Sequence, residues 1–340
     1  MQKPQRPSVV LSAFGDEAAV GKSAVEQLAV LAALGLTHYS VRFVDLGSGV
    51  KNVMKLNDDE VSRLVALHHQ YDMRVATLGS PIGKVKLVDA ADGTSNIFRP
   101  FDQYLEQEVM HAVSLANRLG TKLIRGFSFY PPKGKDPEPY FHQAVDQLGK
   151  IADRCRREGV VYGLELEANL IGSTGLMLYR LHKAVGNPAM TTVYDGANLA
   201  CQNYPAHRCY DEYMRMRDSI GWMHVKDYQI DPDMEWTGHV DEDRLKNFVT
   251  VDAGDSGYEP VLRDFRSRIP ALTTYFRGLG APGVVLDLEP HLKGGGQFGG
   301  YSGPDGMGVA LRSLLRLLDY LDIEYHLRDM ADVKKAIAES

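Results

Sequence analysis

The chain has 340 residues, 38 Lys and Arg against 44 Asp and Glu, and a formal charge of −6. That acidic balance, with no long basic run, argues against a nucleic-acid partner. Three cysteines (Cys155, Cys201 and Cys209) show no CxxC spacing and suit a reducing compartment better than a disulfide framework. The polar start and the short apolar run Val9-Val10-Leu11 predict neither a signal peptide nor a membrane span, so a cytoplasmic protein is expected.

Taken in order, apolar runs alternate with helical patterns. Residues 9–14 read as a strand, followed by Gly15-Asp16-Glu17. Residues 23–34 carry helical spacing and stop at Gly35. Residues 38–44 form a second strand bearing Arg42. Asn57-Asp58-Asp59-Glu60 opens the next helix as a capped N-terminus. A strand at 74–78 runs into a turn ending at Lys84. A helix at 101–119 precedes a strand at 122–127 that carries Arg125, and a helix at 140–157 follows.

The second half repeats the alternation. Strand 160–167 precedes helix 176–185, and strand 191–195 precedes a helix at 208–217. Strand 221–226 leads into a polar insertion, 227–257, and a helix at 260–268. Strand 283–289 leads into a glycine-rich loop, 294–303, and a helix at 308–321. Eight strand-then-helix units predict an α/β fold, a (β/α)8 TIM barrel over about residues 8–325, with long loops after strands 7 and 8. The whole chain, 1–340, is read as one domain with a C-terminal extension at 326–340.

Functional groups in such a barrel gather at the C-terminal ends of the strands. Glu167, Asp195, His224 and Glu289 fall at the ends of the fifth to eighth strands. Two buried carboxylates on one apolar strand, Glu165 and Glu167, are costly without a cation or partner. Two Glu, one Asp and one His form an oxygen/nitrogen set. It suits one divalent cation, Mn²⁺ before Mg²⁺ or Co²⁺, rather than structural zinc. Glu165 and Asp287 lie two residues earlier on the same faces. A slip of two would exchange them with Glu167 and Glu289, and the later residues are preferred as nearer the strand ends.

These motifs carry a resemblance. Ser12-Ala-Phe-Gly-Asp-Glu17, Tyr39-Ser-Val-Arg-Phe43, Leu78-Gly-Ser-Pro-Ile-Gly-Lys84, Leu166-Glu-Ala-Asn169, Tyr194-Asp-Gly-Ala-Asn198, His224-Val-Lys-Asp227 and Leu288-Glu-Pro-His291 together resemble the xylose-isomerase-like barrel superfamily. It includes sugar isomerases, ketose 3-epimerases, inosose dehydratases and apurinic endonucleases. The resemblance implies metal ligands at Glu167, Asp195, His224 and Glu289, and a proton-transfer pair of Glu167 and Glu289. It implies isomerisation or epimerisation of a keto-sugar or its phosphate through an enediolate.

A lyase acting on a 3-keto sugar or inosose is the alternative; a phosphodiester hydrolase and a non-catalytic barrel subunit rank lower. Asn198 stands where the family often has His, and Asn cannot serve as a base near neutral pH. Lys84, Arg125, Asn198, Lys226 and His291 are expected to meet the substrate. The expected partners are a small carbohydrate and further copies of the chain, with no nucleic acid and no membrane.

Overall fold

The computed structural model describes residues 6–233, 236–242, 245–292, 302–329, 331, 332 and 334. Eight parallel strands form its centre: β1 (Val10–Ala13), β2 (His38–Val41), β3 (Arg74–Gly79), β4 (Leu123–Gly126), β5 (Val161–Glu165), β6 (Met190–Asp195), β7 (Ile220–Val225) and β8 (Val285–Leu288). From β2 to β8 each strand pairs with the next in the chain, and β8 pairs with β1. A parallel bridge between Phe14 and Ser40 joins β1 to β2 and nearly closes the ring. This is the expected (β/α)8 barrel.

The strands form where the sequence is apolar without alternation, because both faces are buried: every residue of β4 to β8 is buried. The helices between them are amphipathic and carry local stop and start signals. Asn57 caps the helix Asp58–Gln70 with a full capping box, its side chain accepting from the Glu60 N–H at 2.9 Å and Glu60 answering at 2.9 Å. Gly186, at φ 61°, ends the helix Gly175–Val185 in the left-handed region.

Several elements differ from expectation. The second strand breaks after Val41; Phe43–Asp45 leaves the barrel to pair with Val50–Asn52 as a hairpin over the mouth. β5 stops at Glu165, two residues before the expected end. The insertion contains an antiparallel pair, Asp227–Tyr228 with Phe248–Val249. A further helix, Ile269–Gly278, follows Tyr258–Phe265. The helix expected at 308–321 begins earlier, spanning Gly303–Tyr320. Most of the glycine-rich stretch, 294–301, lies outside the described residues. Arg328 of the C-terminal extension donates to the Tyr71 carbonyl at 3.1 Å, and its N–H bonds the Gly35 carbonyl at 2.8 Å. No helix among the described residues is long and apolar enough to cross a membrane.

Candidate metal centre

Four buried side chains meet at the C-terminal ends of the last four strands. Glu165 ends β5, Asp195 ends β6, His224 lies one residue before the end of β7, and Glu289 follows β8. One ligand atom from each lies within 4.8 Å of the others. His224 Nδ1 stands 3.1 Å from Glu165 Oε1, 3.8 Å from Glu289 Oε2 and 3.9 Å from Asp195 Oδ2. The register makes this meeting. Asp195 pairs with His224 across β6 and β7, and the Glu289 N–H donates to the Val225 carbonyl at 3.2 Å.

Among the described residues, the four whose ligand atoms lie close enough to share an ion include Glu165 and not the expected Glu167. β5 pairs with β6 only as far as Glu165 opposite Val193, so the inward position nearest the other ligands falls on Glu165. Glu167 lies beyond the strand, buried, with Oε2 3.2 Å from Lys84 Nζ.

Cations surround the carboxylates. Lys226 Nζ lies 2.9 Å from Asp195 Oδ2 and 3.3 Å from Glu289 Oε2, with the lysine fully buried. Asp195 Oδ2 nevertheless has no hydrogen bond of good geometry, nor does His224 Nε2. Arg42 reaches Asp16 at 3.0 Å, Glu17 at 3.2 Å and, closer still, Glu289. Arg125 faces Glu165 at 3.4 Å and the Gly79 carbonyl at 3.3 Å.

These pairings set the charges. Burial pushes Asp195 up to about 6; Lys226 opposes, and the Glu165 and Glu289 carboxylates add to the rise. Burial would also raise Glu165, but His224 and Arg125 outweigh it and hold it at about 2. Against the same burial, Lys226, Arg42 and His291 keep Glu289 well below the usual carboxylate range. His224 is raised despite burial, chiefly by Glu165.

Three carboxylates and an imidazole in so small a volume fit a divalent cation. The donors are oxygen and nitrogen with no thiolate. Beneath them Asp287 accepts from Ser40 and, at 3.4 Å, from Thr77. Burial raises its carboxyl.

The centre opens into a cavity lined by Asp16, Arg42, Lys84, Arg125, Glu167 and Glu289 among others. Of the expected substrate contacts, Lys84 and Arg125 line it. Asn198 instead turns its amide to the Leu166 carbonyl at 2.9 Å and Glu165 at 3.4 Å. Lys226 sits among the ligands. His291 is buried against Glu17 at 2.8 Å and Glu289 at 3.6 Å. Asp16 and Glu17 were not expected to take part. Their signal was the acidic loop after the first strand, whose partner Arg42 lies 25 residues away.

A barrel with this ligand group at its C-terminal rim defines a class. The family model described as a xylose isomerase-like TIM barrel matches residues 28–270. The chain belongs to the xylose isomerase-like TIM-barrel family. Among curated proteins no sequence match is found.

Solved structures share the fold at low identity. A protein titled IOLI, with a bound zinc atom, superposes at TM-score 0.64 and 12% identity, covering 92% of this chain and 99% of its own. A xylose isomerase-like TIM-barrel protein from Mycobacterium smegmatis, in complex with magnesium, gives 0.61 and 16%, covering 95% and 99%. The 3-keto-D-glucoside 4-epimerase YcjR from E. coli gives 0.53 and 13%, covering 92% and 100%.

Proposed function

We propose that the protein is a divalent-metal-dependent isomerase or epimerase of a keto-sugar, working through an enediolate. The observation that carries this is the convergence of Glu165, Asp195, His224 and Glu289 beside a cavity walled by further carboxylates. A cation held by those four would polarise a carbonyl oxygen and stabilise negative charge developing there; Mn²⁺ is the choice carried over from the donor types.

The remaining roles belong to the chain. Glu167 and Glu289 are the carboxylates of the fifth and eighth units that line the cavity. They are assigned the transfer of the proton on the carbon next to the carbonyl. Lys84 and Arg125 line the same cavity and hold substrate oxygens. Asn198, Lys226 and His291 hold Glu165, Asp195 and Glu289 in position.

Lys84 favours a second reading, elimination from a 3-keto sugar. Glu167 and its neighbours keep this lysine charged against burial. An ammonium beside the base can hand a proton to a departing oxygen as the C–O bond breaks.

The test is exchange of the α-proton with deuterated solvent. The substrate is the 3-keto derivative of methyl β-glucoside, with Mn²⁺ present. Exchange is expected, with isomerisation or with release of methanol deciding between the readings. Absence of exchange in protein with metal bound would overturn both.

A further inference from the structure

A second concavity lies outside the cavity already described. It is a groove of about 360 Å³ between the loops after β3, β4 and β5 and the polar insertion. Asn96, Tyr130, Asn169, Trp236, Thr237 and His239 line it. It is of the size and mixed polarity of a ligand site.

Three features tie it to the catalytic cavity. Phe127, Tyr130 and Leu170 pack as one cluster; Phe127 lines the inner cavity, and the other two line the groove. The Tyr130 phenol stands between the two spaces. Burial pushes it up to about 12 against the pull of Lys84, and the Glu167 and Glu242 carboxylates add to the rise. Asn169, two residues beyond Glu167, accepts from the Val240 N–H at 3.0 Å and donates to the Val240 carbonyl at 2.9 Å. This reciprocal pair fastens the insertion over the groove.

The backbone is also strained here. Phe129 and Asn169, which adjoin or line the groove, have φ of 72° and 65°. A bulky residue such as Phe rarely adopts that region, and such strain gathers at ligand sites.

The charge of the groove narrows its occupant. The groove itself carries no excess of either sign: Lys133 and Lys135 are matched by Asp136 and Asp92, the latter already held by Lys86 at 2.7 Å. A neutral, hydroxyl-rich ring with one apolar face suits the amides and the exposed indole of Trp236.

We propose that this groove is a second sugar subsite. It would take the neutral ring attached to the reacting keto-sugar, so that the substrate class is a two-ring glycoside. This rests on the keto-sugar reading above.

The experiment compares the 3-keto derivatives of cellobiose and of methyl β-glucoside on full-length, metal-loaded protein. One arm reads acrylamide quenching. The chain has two tryptophans; Trp222 is 0% exposed and Trp236 is 40% exposed, so quenching reports the groove. The two-ring compound should shield Trp236 and the one-ring compound should not. The other arm reads kcat/KM for solvent-proton exchange. The ratio of two-ring to one-ring values should fall about tenfold in Trp236→Ala, the loss of one well-packed contact.

Equal quenching with both compounds, or an unaltered ratio in Trp236→Ala, overturns the subsite. Shielding by the two-ring compound without exchange of either would keep the subsite and remove the keto-sugar reading.

Discussion

The two halves of the barrel mouth carry different sets of charged groups, with Asp16 and Glu17 the carboxylates of the β1 to β4 half and Lys226 the buried lysine of the β5 to β8 half. The arc from β5 to β8 supplies Glu165, Asp195, His224 and Glu289, with Lys226 in their midst. The arc from β1 to β4 supplies Arg42, Lys84 and Arg125, each paired with a carboxylate. Beneath the mouth the first arc offers only neutral hydroxyls, Ser12, Ser40 and Thr77, linked at 3.4 and 2.7 Å. Neither arc would be tolerable alone. Three clustered carboxylates repel one another, and a buried guanidinium without a partner costs several kcal/mol. The division teaches that the carboxylates of the ligand-bearing arc are held by cations from both arcs: Lys226 of the same arc meets Asp195 and Glu289, and Arg42, Lys84 and Arg125 reach across the mouth to Glu289, Glu167 and Glu165.

The largest effect should separate the two glutamates of the fifth unit. Glu165→Ala is expected to abolish stoichiometric metal, whereas Glu167→Ala keeps it, as read by metal analysis of purified protein. The reverse sorting would return the ligand role to Glu167. A milder change should then separate binding from chemistry: Glu167→Gln and Glu289→Gln remove a base while keeping size. Solvent-proton exchange should fall ~10²–10⁴-fold in each. Wild-type exchange with metal retained would move the base elsewhere, Lys226 first and His291 second.

Removing the bridge between the arcs tests the comparison directly. Arg42→Met leaves Asp16, Glu17 and Glu289 buried without their shared partner. A loss of roughly 3–5 kcal/mol in unfolding free energy is expected, the cost of breaking a buried ion pair from one side. Chemical denaturation measures it. A loss near zero would show that Lys22, 3.5 Å from Asp16, and His291 suffice.

Much of this was legible beforehand, for a physical reason. Strands buried on both faces announce themselves as apolar runs, and helices such as Asp58–Gln70 announce their starts through Asn57 and Glu60. The order of elements follows from those local signals. The choice between Glu165 and Glu167 does not. The two share a strand face, and both are buried. Only the pairing of β5 with β6, which stops at Val193, separates them. The partners of Arg42 were hidden for the same reason, since Glu289 lies 247 positions away. The hairpin after β2 was read as one strand because Phe43 and Val44 continue its apolar run, and the break is set by contacts elsewhere.

The smallest effect contrasts histidines of the two arcs. His224, among carboxylates, is raised above its ordinary value, whereas His68 is lowered to about 4 by burial and, less, by His69. His68 sits on the helix between β2 and β3, its Nε2 2.6 Å from the Tyr39 hydroxyl. Its folded form stays neutral between pH 6.5 and about 4, while the unfolded chain takes up a proton there. More protons on the unfolded state mean that stability falls as pH drops through that window. The shift is worth up to ~3 kcal/mol. Other groups titrate in the same range; Asp195, raised to about 6, acts in the opposite sense in metal-free protein. The quantity to measure is therefore the difference in unfolding free energy between wild type and His68→Gln, in which the amide can still meet Tyr39. That difference should move against the wild type as pH falls from 6.5 to 4 and hold steady above 7. A difference independent of pH would mean that His68 is protonated inside the fold, and that the histidines of the two arcs do not differ in charge after all.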